Sequence, residues 1–199
     1  IGTCISISST EGCTDINALN YNPNATIDNN SCLYNPYEWI QSTAQAFYVI
    51  ESLLAMPCTN IDDPETCEMP VQVELNLSDT SSSYIVAAKC GANADVVGAA
   101  QWMERVGSTV TIAAMGIDDN TVGTEGYCFG GFSVGGTTIV PADIPSFEVY
   151  DAQRDIYYET TVSDCFDSNG ELTDCSWANF GFNSVSNLTI RVQNIQGCT

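Results

Sequence analysis

Apolar and polar residues alternate along much of this chain at the two-residue spacing of β-strands. In residues 71–77 valine and leucine occupy every odd position, while glutamine, glutamate and asparagine occupy the even ones. Comparable runs recur about every ten residues and are separated by turns rich in Gly, Asp and Asn. The predicted strands are residues 45–54, 71–77, 84–90, 96–102, 108–115, 145–150, 156–162 and 186–195.

The strand pattern predicts an all-β fold, because no segment carries a capped 3.6-residue helical period. Short strands joined by turns are typical of an immunoglobulin-like or jelly-roll β-sandwich. The last run illustrates the expected packing, with Leu188, Ile190 and Val192 on its inner face.

The amino-terminal third has a different composition, which predicts three parts. Residues 1–11 form a strand arm, residues 12–34 a small cysteine-closed module rich in Asn and Asp, and residues 35–199 the sandwich. In the arm, Ile5 and Ile7 alternate with serines. A lone amphipathic strand must pair with its own sandwich or with a neighbouring chain, and both alternatives are open.

Ten cysteines and no histidine occur in 199 residues. The absence of a C-x-x-C spacing argues against zinc and thioredoxin-like sites, and the even count favours five disulfides in an oxidising compartment. Local spacing suggests four pairs, Cys13–Cys32, Cys58–Cys67, Cys165–Cys175 and Cys90–Cys128. Cys4 and Cys198 remain, and could pair within one chain or between chains.

The net charge of −21, from 25 acidic and four basic residues, indicates the kind of partner to expect. Nucleic acid and anionic lipid would be repelled, and no apolar run is long enough to span a membrane. Divalent cations would be attracted, although a solvated acidic surface explains the same charge. With a start at Ile1 and no leader pattern, we expect a mature secreted protein, extracellular or on the cell surface.

Calcium prefers six to eight hard oxygen ligands, and the module concentrates such oxygens in a short loop. Its candidate ligands are Asp15, Asn17, Asn20, Asn22, Asn24 and Asp28. The alternative is that these side chains only satisfy turns.

Two later loops are further calcium candidates. Asp167, Asn169 and Asp174 flank a glycine turn, although a disulfide-closed hairpin explains the same pattern. Asp118, Asp119 and Asn120 form a weaker acidic group.

Residues 12–32, GCTDINALNYNPNATIDNNSC, resemble a recurrent module of secreted surface proteins of aquatic microbes. Its pattern is G-C-T-D-x-x-A-x-N-Y-N-P-x-A-x-x-D-D-G-S-C, from which the chain departs at Asn29 and Asn30. The resemblance implies a disulfide-closed, calcium-stabilised linker or stalk.

Residues 41–162 resemble a secreted β-sandwich domain found beside that module. The motifs are QSTAQAFYVIES, VVGAAQW, AAMGIDDNTVGTEGYC and DIPSFEVYDAQRDIYYE. The chain has Ala142 where the pattern has Gly, and Glu148 where it has Lys. The resemblance implies a surface protein without a defined activity.

Glycosylation sequons occur at four asparagines, of which Asn76 and Asn187 are the candidates, because both are predicted on the outward side of a strand. A glycoprotein is therefore expected where the host has the machinery.

A catalytic role is not expected. Without histidine no Ser-His-Asp or Cys-His site can form, Lys89 is the only lysine, and no G-x-S-x-G motif occurs. Gly130-Gly131 and Gly135-Gly136 lie among Phe and Val, which is typical of tight β turns. A pair of carboxylates for glycoside cleavage is the remaining enzymatic alternative.

The favoured function is a structural subunit of an extracellular, pilus-like fibre. Ile5 and Ile7 of the arm would fill the sandwich of the next copy by donor-strand exchange, so the partners are copies of the chain itself. The alternative is a carbohydrate-binding or adhesin module, with glycans as partners and Trp39, Trp102 or Trp177 as the aromatics it would present. These three tryptophans are more typical of core or partly buried packing residues, and an exposed row of them would favour sugar binding.

Overall fold

The structure, a computed structural model, describes residues 9–60, 62–68, 71–72, 84–102 and 109–193. Within them the fold is all-β, as predicted, with a single short 3-10 turn at Pro64–Thr66. The strands are β1 (Glu11–Gly12), β2 (Ile27–Asp28), β3 (Gln45–Ile50), β4 (Leu53–Cys58), β5 (Val71–Gln72), β6 (Tyr84–Cys90), β7 (Asp95–Gln101), β8 (Val110–Met115), β9 (Phe132–Val134), β10 (Thr137–Val140), β11 (Ser146–Asp151), β12 (Ile156–Val162), β13 (Cys165–Asp167), β14 (Leu172–Thr173), β15 (Phe182–Val185) and β16 (Leu188–Gln193).

The chain divides into two compact units, Ile1–Pro36 and Tyr37–Thr199. In the first unit, β1 and β2 form a two-residue parallel pair, and the Cys13–Cys32 disulfide closes the loop around them. The division falls two residues after the predicted start of the sandwich.

The second unit is the predicted β-sandwich. One sheet has seven strands in the order β5-β4-β16-β12-β11-β6-β7, and the other has five in the order β14-β13-β15-β3-β8. β3 and β15 pair in parallel, as do β4 and β16, while the other pairs in these sheets are antiparallel.

The core between the sheets is built from alternate side chains of both. Its fully buried members include Tyr48, Ile50, Val86, Ile112, Val149, Val185 and Ile190. The predicted inner face of the last strand is confirmed, since Leu188 and Ile190 are buried and Arg191 is exposed.

Three adjacent strands pass from one sheet into the other at a common corner. β3 continues into β4 through residues 51–52, β12 into β13 through residues 163–164, and β15 into β16 through residues 186–187. The single strand predicted over residues 45–54 is therefore wrong in one respect, because it bends at residues 51–52 and continues to Cys58.

Side-chain and backbone hydrogen bonds together connect the three strands at the corner. The Ser52 hydroxyl donates a short hydrogen bond to Oδ1 of Asn187. The Asn187 backbone N–H donates to the Ser163 hydroxyl oxygen (3.1 Å), and the Ser163 backbone N–H donates to the carbonyl of Asn187 (3.1 Å). Asn187 therefore links all three crossing strands.

The sheets also approach closely at their other margin, where β7 lies over β8. Gly98 makes this approach possible, because a Cβ there would lie 2.1 Å from the carbonyl oxygen of Ala113. The absent side chain lets the two backbones meet without strain.

Four disulfides confirm the predicted pairs Cys13–Cys32, Cys58–Cys67, Cys90–Cys128 and Cys165–Cys175. Cys4 and Cys198 lie outside the described residues, so their pairing stays a prediction. In the described part of the chain no helix is long and apolar enough to cross a membrane.

Candidate functional site

The first predicted calcium ligand, Asp15, is engaged with protein donors. Its Oδ1 accepts the backbone N–H of Asn17 (2.9 Å), and its Oδ2 accepts the hydroxyl of Tyr34 (2.9 Å). The Asn17 N–H and then the Tyr34 hydroxyl lower the pKa of Asp15, because both stabilise the ionised carboxylate. Asp15 thus ties the start of the module to its end.

The asparagines of the module also hold the chain together. The Asn20 amide donates to the carbonyl of Ser31 (2.7 Å), and its oxygen accepts the N–H of Leu33 (2.8 Å). Asn22 Oδ1 accepts the N–H of Asn24 (3.0 Å) in the same way. These contacts match the turn-satisfying alternative for the segment.

Asp28, the second predicted carboxylate ligand, accepts the N–H of Asn30 (2.9 Å). Asn30 has φ 58° at the position where the resembled pattern has glycine, and asparagine tolerates this left-handed conformation. No three acidic, cysteine or histidine side chains gather into a metal-binding group in the described residues. Calcium at the module therefore stays a prediction.

The second calcium candidate is a hairpin of β13 and β14 closed by Cys165–Cys175. Asp167 Oδ1 accepts the backbone N–H groups of Glu171 (2.9 Å) and Asn169 (2.8 Å), which lower its pKa. Asp174 accepts the N–H of Ser176 (3.0 Å). Both carboxylates thus cap turns, as the hairpin alternative predicts.

Asp118, in the weakest predicted group, has hydrogen bonds on both of its carboxylate oxygens. Its Oδ2 accepts the hydroxyls of Thr43 (2.7 Å) and Thr121 (2.9 Å) and the Thr43 N–H (3.2 Å). Its Oδ1 accepts the backbone N–H of Asn120 (3.0 Å). The Asn120 N–H, followed by the Thr43 hydroxyl, holds the pKa of Asp118 far below its usual range. The side chain therefore connects the loop after β8 to the segment before β3 through hydrogen bonds.

Replacing Asp118 with asparagine is expected to lower the melting temperature by several degrees at neutral pH, because an amide cannot accept at both former oxygens. Since the folded-state pKa is depressed, the carboxylate stabilises the fold above about pH 4, and this contribution is lost as pH falls through the folded-state value. The deficit of Asp118→Asn should therefore shrink in acid.

Thermal unfolding followed by circular dichroism, from neutral to strongly acidic pH, measures this effect. Asp119→Asn is the matched control, because Asp119 is the exposed neighbour in the same loop. Equal melting temperatures for the two variants at neutral pH would show that the hydrogen bonds accepted by Asp118 do not stabilise the fold.

A tyrosine and ion-pair cluster on the outer face of the seven-stranded sheet was not predicted. Glu148 accepts the hydroxyl of Tyr37 (2.9 Å) and pairs with the ammonium of Lys89 (2.6 Å). The Tyr37 ring makes edge contacts with Tyr150 and Tyr157, at 6.4 and 6.2 Å between centroids. Burial raises the pKa of Tyr150 to about 12. Glu148, which replaces the Lys of the resembled pattern, thus meets the only lysine of the chain.

A groove of about 480 Å³ lies beside this cluster, along β12. Residues 157–161 of the strand line it, together with Asp62 and Arg191. Tyr157 is 51 % exposed. An exposed aromatic face with charged and hydroxyl groups suits a polar ligand.

The tryptophans proposed as sugar-binding residues lie mainly in the core. Trp102 and Trp177 are buried, at 7 % and 4 % exposure, and Trp39 is partly buried against the core. They form no exposed aromatic row.

Of the predicted assembly and glycosylation residues, one lies within the described part of the chain. Ile5, Ile7 and Asn76 lie outside the described residues. Asn187 is described, but it sits half-buried at the corner rather than outward on a strand, and its side-chain amide donates to Ser163 (3.3 Å). Its glycosylation stays a prediction, with less of the side chain accessible than expected.

Comparisons with family models, with curated proteins and with solved structures found no match.

Proposed function

We propose that this protein is a structural subunit of an extracellular, pilus-like fibre, in which the amino-terminal arm of one copy completes the sandwich of the next. The observation that carries the proposal is the independently closed unit behind the arm. Residues 9–36 satisfy their own turns and are closed by the Cys13–Cys32 disulfide. A folded spacer next to an amphipathic strand favours delivery of that strand to a neighbour over return to its own sandwich.

The composition of the sandwich supports the same role. Disulfides distributed over both units resist unfolding outside the cell, where chaperones do not repair damage. Calcium held by the acidic module, and an intermolecular Cys4–Cys198 bond at each joint, would add to this resistance. The role requires no catalytic group.

The arm is tested by placing charge on one face of its predicted strand. Ile5→Asp with Ile7→Asp is expected to abolish fibres, because each aspartate would have to enter an apolar pocket. Ser6→Asp with Ser8→Asp adds the same charge to the opposite face and should leave assembly intact. Negative-stain microscopy and sedimentation velocity distinguish fibres from single subunits.

Non-reducing electrophoresis tests independently whether Cys4 forms a disulfide bond between copies. A covalent ladder that collapses to one band in Cys4→Ala would support a bond between copies. If all three chains, intact and doubly substituted, remain equally monomeric and Cys4 is bonded within its own chain, the fibre proposal fails.

The groove along β12 favours one alternative, a glycan-binding module, because Tyr157 stands exposed beside Glu159 and Arg191. On that alternative, polysaccharide retards the intact protein in affinity electrophoresis and the retardation is lost in Tyr157→Ala. Phe180→Ala, which removes a 70 % exposed aromatic ring from a loop elsewhere, is the control.

A further inference from the structure

The ribbon formed by β9 and β10 is paired only with itself. Gly135 and Gly136 turn it with φ of 58° and 81°, the positive values that a two-residue hairpin turn needs. No other strand of the described residues pairs with it, and all seven of its strand residues are exposed. The ribbon therefore stands away from the sandwich core.

One face of the ribbon is apolar and uncovered. Phe132 lies opposite Val140, and Val134 lies opposite Thr137, so these four side chains share a face. Phe132 is 55 % exposed, Val134 57 % and Val140 44 %. The opposite face carries the polar pair of Ser133 and Thr138, and the exposed Ile139 lies at the register shift between Thr138 and Val140. Such an amphipathic pattern is normally found where one face packs on another surface.

The base of the ribbon is fixed to the sandwich. Cys128 precedes it and is bonded to Cys90 of β6. The Phe129 N–H donates to the Asp143 carboxylate (2.8 Å), and the Asp143 N–H donates back to the Phe129 carbonyl (2.8 Å). The backbone N–H of Trp177 donates to the Asp143 carbonyl (2.7 Å). A two-stranded ribbon is marginal alone, and these bonds hold it in place.

The charge distribution identifies the occupant of the apolar face. Residues 126–142 contain no charged side chain, although the chain has 25 acidic and four basic residues. Two copies repel each other over most of their surfaces at a net charge of −21. This repulsion is weakest where charge is absent, so the ribbon, whose uncharged residues also form an exposed apolar strand face, is a surface on which a second copy can dock. A strongly basic partner would instead be drawn to the acidic remainder.

We propose that the β9–β10 ribbon is a contact surface between copies of this chain, in which the apolar faces of two ribbons pack against each other. Phe132, Val134 and Val140 of each copy would meet the same residues of its partner around a two-fold axis. The proposal does not rest on the proposed function, because the partner is identified from the charge distribution and not from the amino-terminal arm.

A contact of this size falls below the ~1,200 Å² of stable interfaces, so a pair of ribbons is weak alone. Many such contacts along two fibres would act together. The ribbon would then join fibres side by side, and the arm would join subunits end to end.

The experiment uses the full chain in the Ile5→Asp, Ile7→Asp background, which removes the arm contact. Sedimentation equilibrium over a wide concentration range should show a weak dimer that strengthens with salt, because salt screens the net negative charge. Val134→Glu with Val140→Glu should weaken dimerisation roughly tenfold or more, since the new charges would be buried without partners. Ser133→Glu with Thr138→Glu, on the opposite face, is the matched control.

The outcomes separate this proposal from the arm. A background chain that stays monomeric at every concentration and salt level overturns the ribbon contact, whatever the arm does. Equal weakening by the two pairs of glutamates also overturns it, because charge alone would then explain the loss. Absence of fibres from the intact chain, with dimers that only the Val134 and Val140 substitutions weaken, overturns the arm and supports the ribbon.

Discussion

Replacing Cys90 and Cys128 with alanine lowers the free energy of unfolding by about 4 kcal/mol, the largest loss expected from any of the four described disulfides. The bond spans 38 residues and ties β6 to the loop before the ribbon, so its removal releases the longest closed loop of the four in the unfolded chain. Both cysteines are also buried, at 4 % and 1 % exposure, and their truncation removes core contacts.

The matched comparison is Cys165→Ala with Cys175→Ala, which opens a loop of only ten residues. Its expected cost is about 2.7 kcal/mol, because loop-closure entropy grows with the logarithm of loop length. Urea unfolding of both variants measures the difference. If the Cys90 and Cys128 variant is no less stable than the Cys165 and Cys175 variant, the disulfide that closes the longer loop is not the more stabilising of the two.

Replacing Trp177 with alanine is expected to lower the free energy of unfolding by about 3–5 kcal/mol. The indole is 4 % exposed and its N–H donates to the Ala114 carbonyl (2.9 Å). Its ring lies so close to Gly116 that a Cβ there would be 2.3 Å away. The side chain therefore fills a cavity that the surrounding backbone cannot close.

Two further variants separate the contributions of Trp177. Trp177→Phe keeps most of the volume but removes the hydrogen bond from the indole N–H to the Ala114 carbonyl, at a cost of about 0.5–1.5 kcal/mol. Phe180→Ala removes a 70 % exposed aromatic ring from the same segment and should change stability by less than about 0.5 kcal/mol. Similar urea midpoints for Trp177→Ala and Phe180→Ala would show that Trp177 is not a core residue.

Strands buried on one face could be predicted from the sequence, because apolar and polar residues alternate along a strand that has one face in the core and the other in solvent. β6, β11, β12 and β16 all lie within two residues of their predicted bounds. The sequence predicts only a turn region at β9 and β10, because strands of three and four residues are too short to show a period. The two-residue strands of the amino-terminal unit are too short to show a period.

The corner and the Glu148 cluster could not be predicted, because both depend on which distant strands become neighbours. The bend at residues 51–52 is stabilised by Ser52 meeting Asn187, 135 positions away. Lys89 meets Glu148 because β6 and β11 pair in a particular register. Asp and Asn likewise serve turns and calcium equally well by composition, and hydrogen-bond directions are needed to tell these uses apart.

The corner strands also determine how the sandwich would carry a pulling force. β3 and β4 run parallel to β15 and β16 through both sheets, with four register pairs in one sheet and six in the other. Tension entering ahead of Gln45 and leaving beyond Gln193 would slide these two continuous strands past each other along their length. Every backbone hydrogen bond between them is then loaded together, instead of opening one after another from an end. If copies were joined through these two ends, as the fibre proposal requires, the sandwich would resist a pull along the filament better than a pull that opens one strand pair at a time.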